Sequence, residues 1–185
     1  MLGVAAGVCA PVCIGTRAAE LDGVQVPSTL QANGKTLQLN GFGLRTYSIF
    51  GVHIYVAALY LEHLSTDADA ILQSTETKLL TVRFVHNVTA EVARESWRKG
   101  LENNCQAPCH LDPEDIAHFL AEVPAMPEGA NFAILFTAQG ATVTVNGRQY
   151  GEIPKPVFAR AVLATFLGPA PSSVPLKAAL LQGHG

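Results

Sequence analysis

Charge is scarce in this sequence: only 15% of its 185 residues are Asp, Glu, Lys or Arg, against 49% apolar. So apolar a chain cannot be a solvated, disordered one, and it predicts a well-filled core. A surplus of cations is also lacking. Lys and Arg number 12 and Asp and Glu 15, for a net charge of −3, which excludes a phosphate-tracking nucleic-acid protein. Four cysteines are too few for a disulfide scaffold at this length. The familiar catalytic strings are missing: no phosphate loop, no dinucleotide fingerprint, no Gly-x-Ser-x-Gly elbow and no His-Glu-x-x-His. The six histidines are dispersed without ligand spacing, so neither a metal site nor a cofactor is expected. What is plentiful is turn material, 16 Gly and 11 Pro, as a strand-rich fold requires.

Between Leu2 and Gly15 the chain carries no charge. That run falls short of the roughly 20 residues of a membrane-spanning helix, and Pro11 interrupts it. Small apolar residues leading to Thr16-Arg17-Ala18-Ala19 read as the core and cleavage site of a secretory signal peptide, although no basic residue precedes the run. Cleavage before Ala19 makes residues 1–18 the signal and 19–185 one domain, periplasmic or secreted, with no integral membrane segment left. The alternative is a buried N-terminal helix. Cys9 and Cys13 leave with the signal. In an oxidising compartment Cys105 and Cys109 become a disulfide candidate, with free thiols and a metal shared with His110 as the other readings.

Downstream, the pattern is strands, helices, strands, then helices. Leu37, Leu39 and Gly41 alternate with Gln38 and Asn40 as on a half-buried strand, and Asn33-Gly34 marks a hairpin before them. The apolar run 49–61 predicts a strand covered on both faces. Helices are expected over 66–73, 89–104, from Asp112-Pro113, from Pro154 or Pro156 to Phe166, and over 174–181. Between Asp112 and the fourth of these helices, strands fall at 132–137, 141–145 and 148–153, turned by Asn146-Gly147. On the helix 89–104, Val92, Ser96, Trp97 and Leu101 share a face, with Glu91, Arg94, Glu95 and Arg98 outside it. This order is α+β: a mostly antiparallel sheet with helices layered on one face.

One residue stands out chemically. Arg45 lies in GFGLRTYSIFGVHIYVAALYL, where nearly everything else is apolar or small. A guanidinium cannot lose its charge, so Arg45 either reaches solvent at a strand end or faces a pocket that takes an anion. Tyr47, Tyr55 and Tyr60 follow it, and a phenol beside an arginine makes a carboxylate or enolate clamp.

The GFGLR segment and YVAALYL strand, then VTAEVARESWRKGLENN, PEGANFAILFTAQGATVTVNGRQYGEIP, FARAVLATFLG and LKAALL, resemble the chalcone isomerase-like superfamily and its bacterial branch. The likeness runs from about Leu21 to Leu181. It implies an open-faced β-sandwich: a large antiparallel sheet, a helical layer and a ligand cleft between them. In isomerase members an arginine matching Arg45 polarises an enone, and a late-helix threonine matches Thr165. Fatty-acid-binding members hold a carboxylate with an arginine and a tyrosine, which the resemblance places on Arg45 and Tyr55. Two isomerase positions depart. Val88 stands for a tyrosine and Glu95 for an asparagine, and Glu95 is expected to bring a carboxylate near an anionic substrate. The leading expectation is binding of a small or medium apolar carboxylate such as a fatty acid by Arg45, Tyr55 and Thr165. An isomerase (intramolecular lyase) acting on a chalcone-like or other aromatic enone with Arg45 and Thr165 is the alternative, and a non-catalytic structural or partner-binding module the second.

Overall fold

The computed structural model describes residues 18–47, 50–105 and 109–183. Of the proposed signal peptide, residues 1–17 lie outside them. Among the described residues, nine strands and five helices follow in an α+β order. The first two strands, β1 (Ala18–Leu21) and β2 (Val24–Pro27), form a separate hairpin. Seven more build one antiparallel sheet in sequence order: β3 (Thr29–Ala32), β4 (Lys35–Tyr47), β5 (Val52–Leu61), β6 (Lys78–Phe84), β7 (Asn131–Thr137), β8 (Gly140–Val145) and β9 (Arg148–Ile153). Asn33-Gly34 and Asn146-Gly147 turn two of its hairpins with both residues left-handed, φ 50° and 69°, and 50° and 76°. That is the turn whose twist matches paired strands, and it explains the Asn-Gly pairs.

The helices are α1 (Ala68–Gln73), α2 (Ala90–Asn104), α3 (Pro113–Glu122), α4 (Pro156–Leu167) and α5 (Val174–Leu180). Thr89 caps α2 by accepting from the Val92 N–H at 3.3 Å, and Asp112 caps α3 by accepting from Glu114 at 2.9 Å. Helix α4 is the apolar one, with every residue from Ala161 to Leu167 buried. It packs across the sheet with α2 against it, forming one core with Leu59, Leu80, Ile134 and Val162. The opposite sheet face holds a second, smaller core of Val26, Leu37, Leu39, Val56, Ala58 and Tyr60, part-covered by the β1–β2 hairpin. That second cover was not expected from the sequence. Among the described residues no helix is long and apolar enough to cross a membrane.

Strand β4 departs from strict alternation. Leu39 pairs with Tyr60 and Gly41 with Leu59, leaving Asn40 as the extra residue of a β-bulge. Gly41 therefore does not share a face with Leu37 and Leu39; Phe42 and Leu44 do. From the bulge onward, Gly41, Gly43 and Arg45 face the helices. Fully buried Asn40 holds the bulge in place. Its amide donates to the Ser65 and Leu180 carbonyls, both at 2.9 Å, and its Oδ1 accepts from the Ser65 N–H at 2.8 Å. The glycines let α5 approach: a Cβ on Gly41 would lie 2.2 Å from the Ala179 carbonyl oxygen, and one on Gly43 2.6 Å from the Ala179 Cβ.

Candidate functional site

Past the bulge, Arg45 is paired directly with Tyr55 of β5, and Tyr55 with Phe84 of β6. Side chains directly opposite on neighbouring strands share a face, so the three form a row beneath the helices. A second bulge, at Ile54, follows at once, between the pairs Arg45–Tyr55 and Thr46–His53. Arg45 and Tyr55 sit at the last rung before this bulge, and Tyr55–Phe84 is the end pair of β5 with β6.

A cavity of about 460 Å³ begins at this row. That volume falls in the roughly 300–1,000 Å³ range of small-molecule pockets. Sheet residues Ile54, Val82, Phe84 and Phe132 form its floor. Helix α2 roofs it with Val92, Ala93, Ser96 and Trp97, positions three and four apart that make one stripe. Thr165 and Phe166 of α4 close the back, and Ser172 lies on the return from α4. Most of this lining is apolar; polar groups stand at the Arg45 end and along the 86–89 loop, with Ser96 in the roof and Thr165 at the back.

The Arg45 guanidinium donates through Nη1 to the Thr46 carbonyl at 2.7 Å. Among the described residues no carboxylate lies within ion-pairing distance of it. Tyr55 is partly buried by area, its ring edge-on to Phe84 at 5.4 Å. Burial pushes its phenol from 10.0 up to about 12, with the Arg45 charge and the Ser172 hydroxyl beside it offsetting part of the rise. At neutral pH it is a protonated donor. The pair thus presents a fixed cation and a neutral O–H on one face of an apolar cavity, a set that suits a carboxylate, a phenolate or an enolate.

Thr165 is 4% exposed and also reaches the cavity wall. Its hydroxyl donates to the Val162 carbonyl at 2.8 Å. Toward a ligand it therefore turns only acceptor lone pairs. Its methyl is held by Gly100, where a Cβ would come within 3.0 Å. Val88 lines the cavity with an apolar side chain. Glu95 does not enter: it pairs with Arg98 and, at 3.3 Å, with Lys99 on the outer face of α2. Ser96, one position on, is the residue that looks in, because the stripe 89–92–93–96–97 excludes 95. Arg94 is not wholly outside either, its Nε being buried without a hydrogen-bond partner among the described residues.

Cys105 and Cys109 are joined by a disulfide at the end of α2, away from the cavity. Among the described residues no group of three or more His, Cys, Asp or Glu side chains is placed to hold a metal ion. Arg45, Tyr55 and Thr165, the residues expected from the sequence, line this one cavity together with Ser172, which no motif marks because the fold of the 168–173 return brings it in. Trp97, expected on one face of α2 with Val92, Ser96 and Leu101, is a wall of the cavity.

Two comparisons bear on this arrangement. In fold, the chain is similar to the crystal structure of a fatty-acid binding protein of Arabidopsis thaliana, with a TM-score of 0.74 over 90% of this chain and 96% of that one, at 14% identity. A comparison with curated protein sequences gives no match. The family model described as chalcone isomerase-like matches residues 18–182, nearly the whole described chain. Together with the seven-stranded antiparallel sheet and its helical layer, that match makes this chain a member of the chalcone isomerase-like family.

Proposed function

We propose that the protein binds a small or medium apolar carboxylate, a fatty acid being the simplest, in the cavity headed by Arg45. One observation carries this reading: a guanidinium with no carboxylate partner among the described residues stands beside a neutral phenol at the head of an apolar cavity. An anionic head satisfies the pair, and an apolar tail removes the lining from water. The fold-level likeness to a fatty-acid binding protein supports the reading without identifying the ligand. Binding is favoured over isomerisation because Val88 supplies no hydroxyl at the cavity and the Thr165 proton is engaged within α4. The reading extends to export, with residues 1–18 as a signal peptide; mature protein from its host then begins near Ala19, and material still starting at Met1 would overturn that part.

The test is calorimetric titration with dodecanoate. Arg45→Met should weaken binding by about 2–4 kcal/mol, the scale of a charge-assisted, partly buried contact. Ligand-free stability should change little, since a half-buried charge and its bond to the Thr46 carbonyl are exchanged for an apolar side chain of similar volume. Arg45→Lys should restore part of the affinity, and Tyr55→Phe should cost about 1 kcal/mol. Unfolding of ligand-free Arg45→Met, with dodecanoate binding of the remaining folded fraction unchanged, would show Arg45 to be structural.

A further inference from the structure

A second cavity, of about 340 Å³, lies against the first. Its own walls come from α3, β8, β9 and α4, mostly apolar through Phe119, Val143, Ile153 and Phe158, with the polar chains of α3 and β9, such as Glu122 and Glu152, also lining it. Three side chains line both cavities: Trp97, Val123 and Phe132. Two of these are held by their backbones. Phe132 sits in a central strand, paired with Val82 on one side and Val145 on the other. Val123 closes α3, its N–H bonded to the Leu120 carbonyl.

Trp97 too has a fixed backbone, in the middle of α2, but its ring is held by packing. Its ring meets Phe119, Phe132 and Phe166 edge-on or tilted, at 5.3, 6.2 and 5.8 Å. Its indole N–H has no acceptor among the described residues. Turning the indole therefore breaks no hydrogen bond to a described residue. Tryptophan is the bulkiest side chain available for a partition, and this is the only one in the sequence.

We infer that the two cavities are successive compartments of one apolar path, and that Trp97 sets the length of tail the first accepts. The inference rests on the carboxylate reading above: with the head on Arg45, the tail runs along α2 toward Trp97, and the indole bars it from the second compartment. Trp97 is then the residue that determines chain-length specificity.

The experiment is a calorimetric series of straight-chain saturated acids against wild type, Trp97→Ala, and Trp97→Ala combined with Val143→Phe, which refills the second cavity. In wild type, affinity should rise about fourfold per methylene and then level off where the tail meets the indole. In Trp97→Ala the rise should continue for at least two more methylenes, about 16-fold in total. The double variant should return to the wild-type limit. An unchanged limit in Trp97→Ala, or a longer one that Val143→Phe leaves in place, overturns the inference. The intact protein gives an independent reading: acids brominated at the tail end should quench Trp97 fluorescence only as their length approaches the wild-type limit. Binding without quenching at any length places Trp97 off the path and overturns it too. Failure of wild type to bind any acid is a different result, and it overturns the carboxylate reading itself.

Discussion

Replacing Asn40 with Ala tests whether the bulge in β4 is what turns Arg45 toward the helices. The substitution removes two donated hydrogen bonds and one accepted one. The Leu180 carbonyl belongs to a residue of 0% exposure, so water cannot replace the lost amide there. Leaving that group unpaired costs about 1–3 kcal/mol, and each Ser65 contact, closer to solvent, about 0.5–1.5 kcal/mol. The sum is about 2–6 kcal/mol, a large share of the roughly 5–15 kcal/mol that holds a domain together. With a urea slope of about 2 kcal/mol per molar, a loss of about 4 kcal/mol moves the unfolding midpoint down by about 2 M. Trp97 fluorescence and far-ultraviolet circular dichroism follow the transition. Dodecanoate affinity should fall in the same variant, because a strand released from its bulge no longer aims Arg45 into the cavity. Asn40→Asp should be at least as damaging, since both donors are lost and a charge is buried. A stability loss under about 1 kcal/mol with dodecanoate binding unchanged would refute the reasoning.

Gly41→Ala places a methyl 2.2 Å from a backbone oxygen of α5, and this overpacking should cost at least 1–3 kcal/mol, roughly, and expose α5 to limited proteolysis. Stability should decline as pH rises from 10 toward 12. Tyr55 and Tyr60 are raised from 10.0 to about 12 chiefly by burial, so the folded state keeps protons that the unfolded chain releases. Tyr60→Phe should flatten the decline, as read by urea unfolding at pH 8, 10 and 11, and an equally steep decline in that variant would count against the Tyr60 contribution. Reducing the Cys105–Cys109 bond opens a loop of only five residues, so stability should drop by about 2 kcal/mol, with dodecanoate affinity unchanged; a collapse of binding on reduction would tie the disulfide to the cavity.

Local chemistry was readable in advance where its cause was local. The Asn-Gly turns, the Asp112-Pro113 opening of α3 and the order of strands and helices all rest on residues within a few positions of one another. Arg45 stood out because a charge amid apolar residues requires an explanation wherever it points. Its direction was not readable. Leu37, Leu39 and Gly41 look like an unbroken alternation, and the bulge that divides them is fixed by Ser65 and Leu180, far along the chain. In the sequence the glycines of GFGLR only marked the approach to Arg45; the structure gives them a packing role under α5. Glu95 and Ser96 show the same limit at finer grain. On a helix one position is 100° of rotation, and only the packed partner decides which residue faces the cavity. The helix face that Trp97 occupies was legible, but its place between two cavities depends on Val123 and Phe132, which lie elsewhere in the chain.

The contact between Asn40 and Leu180 spans 140 positions, and that separation has a consequence in time. At synthesis rates of about 5–20 residues per second, the strand bearing Arg45 waits roughly 7–28 s for the helix that seats it. During that interval the Gly41 and Gly43 face has no cover, and the bulge lacks its Leu180 partner. A pairing so distant is among the slowest to form, because its loop must close before any contact rewards it. The Arg45 cavity therefore matures late, after α5 has docked, and a chain interrupted before Val174 carries the arginine without the arrangement that aims it. On the reading proposed above, carboxylate binding marks finished molecules and is absent from incomplete or half-folded chains.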